Sequence, residues 1–166
     1  MKRSIAAENR LRSYVVAEDS GFAPCVKNRV CTLACCKPVI RRVSREGDWV
    51  LGTTSSKRGA GRLVYLMQID KLLSFADYYR DRRLRLRPDN IYRPLGKERF
   101  YQKKNAHHGP ANIHMDLSSK HVLVSKNFIY LGNKAVEIDP EFRDFVRQGR
   151  GHKVIGRNLN EQTENH

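Results

Sequence analysis

The sequence predicts an α+β fold: a compact mixed or antiparallel sheet with helices on its flanks. Three observations carry that reading. Short β-branched and aromatic runs recur at residues 13–17 (SYVVA), 30–36, 49–52, 63–69 (LVYLMQI), 121–125 and 128–131. They alternate irregularly with three stretches of helical spacing, not in a strict strand–helix repeat. No strand runs into a glycine-rich phosphate loop, which excludes a P-loop or a dinucleotide fingerprint. At 166 residues, one domain over 13–155 can bury a full core. A polar start, 1–12, is expected to fray, and a polar tail, 156–166, to be disordered.

Taken in order, the SYVVA strand ends at the turn cluster Glu18-Asp19-Ser20-Gly21. The run from Val30 is stopped by Lys37-Pro38, where proline is pre-set for a first helical position. Val39, Ile40 and Val43 then form a narrow apolar stripe, with Arg41, Arg42 and Arg45 pointing elsewhere, and Gly47 suits the helix end. The Gly47-Asp48 turn feeds the strand at Trp49, a loop follows at 55–61, and LVYLMQI reads as a central strand. Ser74 with Asp77 three residues on starts a helix over 75–83, and Pro88 ends any continuation. Residues 89–110 have little periodicity and are long for a structureless connection, which favours a functional loop. Two strands flank Lys126-Asn127, and Asp139-Pro140 caps a last helix carrying Phe142, Phe145 and Val146.

Charge narrows the partners. Thirty-two Lys+Arg against seventeen Asp+Glu give +15, and residues 80–104 hold ten Lys/Arg against three Asp/Glu. A field focused in that way attracts polyanions, so nucleic acid (DNA preferred) or a nucleotide is the expected partner, rather than a mixed-sign solubility surface. Arg80, Arg82, Arg83, Arg85, Arg87, Arg93, Lys97, Lys103 and Lys104 are the candidate contacts to a nucleic-acid backbone. No apolar run approaches the ~20 residues of a membrane span, no basic amphipathic helix with a wide apolar face appears, and the start lacks an apolar signal region. The expectation is a cytoplasmic protein with no membrane partner.

Cys25, Cys31, Cys35 and Cys36 fall within twelve residues, and in a reducing compartment they stay thiols. Their C-x5-C-x3-C-C spacing lacks the C-x2-C knuckles of a zinc site, so no metal is assigned and buried thiols are the default. No cofactor is named by any motif. Cys35 and Cys36 point to opposite faces if extended, so one of them could sit exposed beside Lys37 and Arg41, where a thiolate is favoured. His107, His108 and His114 lie in a loop with Asn105 and Asp116, and a histidine beside an acid can act as a general base. These five, Cys35, Cys36, His107, His108 and His114, are the candidate catalytic residues. Lys37, Arg41 and Arg42 suit an anion, although a solvated basic helix face explains them equally. Asn90 and Tyr92 could read and stack a base, or Asp89-Asn90-Ile91-Tyr92 could be an Asx turn packed by its neighbours.

Together the motifs Y-V-V-x-x-D-S-G-F-A-P (14–24), T-L-A-C-C-K-P-x-I-R-R (32–42), G-D-W-V-L-G (47–52) and L-V-Y-x-M (63–67) resemble the nucleotide modification associated domain type 2 family. Y-Y-x-D (78–81), D-N-I-Y (89–92) and V-L-V-S-x-x-F-x-Y-x-G (122–132) extend the resemblance over about residues 13–140. It implies a link to bacterial, phage and mobile-element systems that modify DNA bases. By motif it marks Asp19, Cys35, Cys36, Lys37, Arg41, Arg42, Asp48, Asp89, Asn90, Tyr92 and one loop histidine as site positions. A weaker, fold-level likeness to PUA-like small barrels implies a pocket that admits a flipped base.

Three functions follow as alternatives. The first is a domain that binds a nucleic acid or a modified nucleotide, recognising a base in a basic pocket. The second is an enzyme of base modification using a loop histidine or Cys35/Cys36. The third is a basic scaffold for a partner protein, which requires no concavity beside Lys37 and Arg41.

Overall fold

A computed structural model of the chain describes residues 8–156. The elements run β1 (Leu11–Val16), β2 (Cys25–Lys27), β3 (Val30–Leu33), α1 (Pro38–Val43), β4 (Trp49–Thr54), β5 (Leu63–Gln68), β6 (Lys71–Ser74), α2 (Phe75–Arg80), β7 (Tyr92–Gly96), β8 (Arg99–Gln102), α3 (Ile113–Leu117), β9 (His121–Ser125), β10 (Asn127–Tyr130) and β11 (His152–Ile155). The fold is α+β. A five-stranded sheet has the order β10-β5-β4-β1-β11, a four-stranded sheet the order β2-β3-β9-β6, and β7-β8 form a hairpin of their own. Among the described residues the sheets stay open and none closes into the small barrel that the PUA-like analogy implies.

β1 is the hinge of the larger sheet. It pairs parallel with β4, from Leu11 opposite Trp49 to Val16 opposite Thr54, and antiparallel with β11. A parallel pair needs a crossover, and here the crossover is the β2–β3–α1 excursion that delivers Cys36. The β2–β3 hairpin turns on Asn28 and Arg29, both at positive φ, the left-handed pair that a two-residue turn requires. Gly52 in β4 has its own reason. A Cβ there would come within 2.3 Å of the Tyr65 ring, whose hydroxyl bonds Tyr14 at 2.8 Å.

The smaller sheet is buried on both faces. Along β9, Leu123 enters a cluster with Tyr14, Val50, Val64 and Met67 of the larger sheet. Its neighbours Val122 and Val124 enter a second cluster with Phe75, Tyr78, Ile91 and Tyr92. Alternate residues of one strand face opposite sides, so the layers stack as large sheet, small sheet, then α2 with the β7–β8 hairpin. Burial on two faces explains why the middle of this strand, Val122 to Val124, is apolar at successive positions.

Several expectations shift. Helix α2 starts where predicted, with the Ser74 hydroxyl accepting the Asp77 N–H at 3.0 Å. It stops at Arg80, because Asp81 turns the chain by accepting the Arg83 N–H at 2.9 Å. The stretch 89–110, expected to be a loop without secondary structure, contains the β7–β8 hairpin. The last helix is a 3-10 turn, Pro140–Phe145. Helix α1 buries Ile40 and Arg41, leaving Val39 and Val43 exposed. The strands on either side of Lys126 belong to different sheets. β1 begins at Leu11, inside the stretch expected to fray, because Arg10 is clamped to Trp49 and Asp48. The rest of that start and most of the polar tail, 1–7 and 157–166, lie outside the described residues. No described helix is long and apolar enough to cross a membrane.

Candidate active site

After β3 the chain leaves the sheet and places Cys36 and Lys37 in succession at φ 61° and 42°. Left-handed geometry costs a non-glycine residue roughly 1 kcal/mol, and Pro38 next in line fixes where the helix starts. What holds the kink is a set of buried hydrogen bonds. The Cys36 N–H donates to Asp116 Oδ1 at 2.8 Å, and the Cys36 carbonyl accepts Arg41 Nε at 2.8 Å. Arg41 is fully buried and also donates to the carbonyls of His121 (3.0 Å) and Asp116 (2.6 Å). Bonds to charged groups are each worth about 1.5–3 kcal/mol, enough to outweigh the backbone strain. The strain aims the Cys36 side chain away from Cys35 and into a cleft.

In that cleft Cys36 Sγ lies 3.3 Å from His108 Nε2, and His108 Nδ1 lies 2.6 Å from Asp116 Oδ2. The Asp116 carboxylate is fully buried and also accepts the Tyr92 hydroxyl at 2.6 Å. With Nδ1–H donated to the carboxylate, Nε2 is left as the acceptor facing the thiol. The order thiol, imidazole, carboxylate has the geometry that a nucleophile, its base and an orienting group need in covalent catalysis. The loop that carries His108 is folded by Asn105, whose side-chain oxygen accepts the N–H groups of His107 and His108 at 2.9 and 2.7 Å. Its amide donates to the His108 carbonyl at 2.9 Å. Phe22 packs edge-on to the His108 ring at 4.9 Å and stacks with His107 at 4.5 Å.

The cleft holds about 570 Å³, room for a nucleobase or nucleoside, with Tyr14, Phe22, Ile40 and Met115 among its apolar lining. Lys37 contributes charge: half-buried, its ammonium lies 4.8 Å from the centre of the Tyr14 ring, and burial lowers its pKa. Burial first, then Asp116, pushes the Cys36 thiol above the ordinary cysteine range, against the pull of Lys37 and Arg41. The resting sulfur is therefore a thiol that needs a base to remove its proton. Burial, followed by the bond to Asp116, raises the Tyr92 phenol as well, which fixes it as a donor.

The other sequence candidates fall elsewhere. Cys35 is fully buried in the second core cluster, its thiol 3.6 Å from the Asp89 carbonyl and raised by burial. His114 is exposed on α3, and His107 stands at the cleft rim with Ser20 Oγ 3.4 Å away. Asp48 is consumed by Arg12 at 2.6 Å and by the N–H groups of Arg10 and Arg45. Asp89 accepts Thr32 and Tyr78 hydroxyls at 2.5 and 2.6 Å beside Arg87, whose guanidinium donates to three backbone carbonyls. Asn90 staples the Tyr78 and Leu84 carbonyls. Asp19 accepts the Tyr130 hydroxyl, and Arg42 is exposed on α1. Of the motif positions, Cys36, Lys37, Arg41, Tyr92 and one histidine, His108, come together. Sequence reasoning placed Asp116 beside the loop histidines but did not count it among the site residues, although an acid eight residues after His108 was the signal for it.

Donor atoms of Cys35, His108 and Asp116 lie within 4.8 Å of one another, a spacing that could admit a metal ion. Two ligands of one tetrahedral zinc stand about 3.3 Å apart, whereas His108 and Asp116 are 2.6 Å apart. That pair is a hydrogen bond, and the Cys35 thiol donates instead to the Asp89 carbonyl at 3.6 Å.

Comparison with curated proteins and with solved structures finds no match to this chain. The family model described as nucleotide modification associated domain 2 matches residues 8–164, a span that includes every residue of the Cys36 cleft. The chain belongs to the nucleotide modification associated domain 2 family.

Proposed function

We propose that this protein is an enzyme of nucleotide modification in which Cys36 is the nucleophile, His108 the general base and acid, and Asp116 the group that orients His108. The observation that carries the proposal is the unbroken chain Cys36 Sγ–His108 Nε2 (3.3 Å) and His108 Nδ1–Asp116 Oδ2 (2.6 Å) beside an open cleft. The arrangement suits transfer or hydrolysis of an acyl-type group on a nucleobase or nucleotide. As Nε2 takes the thiol proton, the S–C bond forms and the carbonyl π pair moves to oxygen. Collapse expels the leaving group, which takes the proton from His108. Water or an amine then opens the thioester, giving a proton to His108 that restores the thiol. Lys37 supports the reading as a cation that lowers the Cys36 pKa and has no carboxylate within 4.0 Å among the described residues.

A second reading, a reader that binds a base without chemistry, draws on the half-apolar cleft and the basic 80–104 segment. The scaffold reading predicts no concave pocket beside Lys37 and Arg41, and the cleft next to Lys37 supports it less well than the other two.

The test is alkylation of Cys36 by iodoacetamide across pH. His108→Ala should slow labelling roughly tenfold or more at neutral pH, where a base is needed. The two rates should converge at alkaline pH, where the thiolate forms unaided. Equal rates at neutral pH would remove the enzyme reading in favour of the reader.

A further inference from the structure

The Cys36 cleft has a neighbour. A second cleft of about 340 Å³ is lined by Asn90, Lys103, Lys104 and Asn105, and by Ala106 and His107, which also line the first. The two hollows therefore share one wall, and the exposed His107 ring, stacked on Phe22, stands in it. No carboxylate lines the second cleft.

Its cations are the ones left over when internal pairs are removed. Arg83 is bound by Asp81 at 2.8 Å, and Arg87 is buried beside Asp89 at 3.7 Å. Lys103, Lys104 and Arg85 have no carboxylate within 4.0 Å among the described residues. Lys103 and Arg85 lie against the same ring, Tyr79, at 5.3 and 5.8 Å from its centre. Burial, with Arg85 as a second cause, lowers the Lys103 pKa, so this pair of cations lacks a counter-charge. A positive track thus runs from Arg85 over Tyr79 to Lys103 and Lys104, and ends at the wall of the Cys36 cleft.

We propose that the substrate nucleotide is part of a single-stranded nucleic acid, with its base in the Cys36 cleft and the adjoining phosphodiester across His107 on Lys103 and Lys104. This rests on the reading of the Cys36 cleft as the site of a nucleobase. A base in a concave cleft cannot be paired in a duplex. Cations beside an aromatic ring are how sequence-tolerant single-strand grooves are built. A free nucleotide would leave the second cleft without an occupant.

The experiment has two arms. In the first, the full chain binds a fluorescent single-stranded oligonucleotide of about a dozen nucleotides, followed by anisotropy over a salt series. Lys103→Gln with Lys104→Gln should reduce the slope of log affinity on log salt by about 1.4, since each single-strand phosphate contact contributes roughly 0.7. Lys57→Gln with Lys134→Gln, the same charge loss away from both clefts, should leave the slope unchanged. An unchanged slope in the first pair, or no binding at low salt, overturns the proposal. In the second arm the wild-type chain is alkylated at Cys36 with either the oligonucleotide or a mononucleotide present. Protection by the oligonucleotide at a concentration at least tenfold lower supports a strand, and equal protection overturns it. His108-dependent labelling without any nucleic acid tests the Cys36 chemistry separately, so the two failures are distinguishable.

Discussion

Asp116 Oδ1 accepts the backbone N–H of Cys36 at 2.8 Å, eighty residues away in sequence, while Oδ2 of the same carboxylate holds His108 at 2.6 Å. One buried side chain therefore sets both the loop that carries Cys36 and the ring of His108, the proposed nucleophile and base. Error in either position is reduced by the other, which is what a reacting pair needs when an ångström of displacement costs about a hundredfold in rate.

Replacing that carboxylate with its amide separates orientation from charge. In Asp116→Asn the amide oxygen can still accept the Cys36 N–H at the Oδ1 position, but its NH2, at the position shared by Tyr92 and His108, presents a donor to His108 Nδ1, places the ring proton on Nε2 and leaves the Tyr92 hydroxyl without its acceptor. Neutral-pH alkylation of Cys36 should then fall roughly tenfold, toward the His108→Ala level. The opposing effect is electrostatic, since Asp116 helps to raise the thiol. Faster labelling in the variant would mean that charge, not orientation, is what Asp116 supplies.

Lys37 acts on the same thiol with the opposite sign. It lowers the Cys36 pKa against burial and Asp116, so Lys37→Met should move the alkaline limb of the alkylation profile to higher pH. On that limb the rate at a fixed pH should drop severalfold. A profile that stays in place would show the ammonium to be solvated away from the sulfur.

Cys35 is a built-in control for its neighbour. Mass spectrometry of the lightly alkylated native chain should find the label on Cys36 and none on Cys35, whose thiol is fully buried and raised by burial. Cys35→Ala should cost about 1–2 kcal/mol in urea unfolding and leave Cys36 labelling intact. Loss of Cys36 reactivity in a folded Cys35→Ala chain would contradict the separation of the two thiols.

Two substitutions away from the cleft report on the fold. Asp89→Ala strips the buried Arg87 of its carboxylate and leaves the Thr32 and Tyr78 hydroxyls without their acceptor, which should cost about 3 kcal/mol by urea denaturation. Gly52→Ala places a methyl 2.3 Å from the Tyr65 ring and 2.8 Å from Val16, and repacking should cost about 2 kcal/mol. An unchanged midpoint in either would count against the packing described.

What the sequence disclosed was local. The Ser74–Asp77 cap, the proline start of α1 and the apolar β5 run each depend on near neighbours, and each lies where its pattern places it. The β7–β8 hairpin was hidden because it is largely exposed, with Pro94 inside it, so it lacks a clean alternation. β11 was hidden by its brevity. The site was half legible for the same reason. A histidine near an acid pointed to the His108 loop, but choosing among three histidines and two cysteines needs the Cys36–His108 contact, which spans 72 residues. Charge patterns also do not say which ions are spent internally. Asp48, Asp89 and Arg41 read as ligand groups in the sequence and are bound within the protein in the fold.

The strand that closes the larger sheet carries one further consequence. β11 pairs with β1, and Gly151 and His152 at its start line the Cys36 cleft. Among the described residues this wall is the last to be synthesised, long after Cys36 has left the ribosome. A nascent chain thus holds its thiol, its imidazole and its carboxylate before it holds a finished binding site. Among the described residues, the cleft is complete only once β11 is in place.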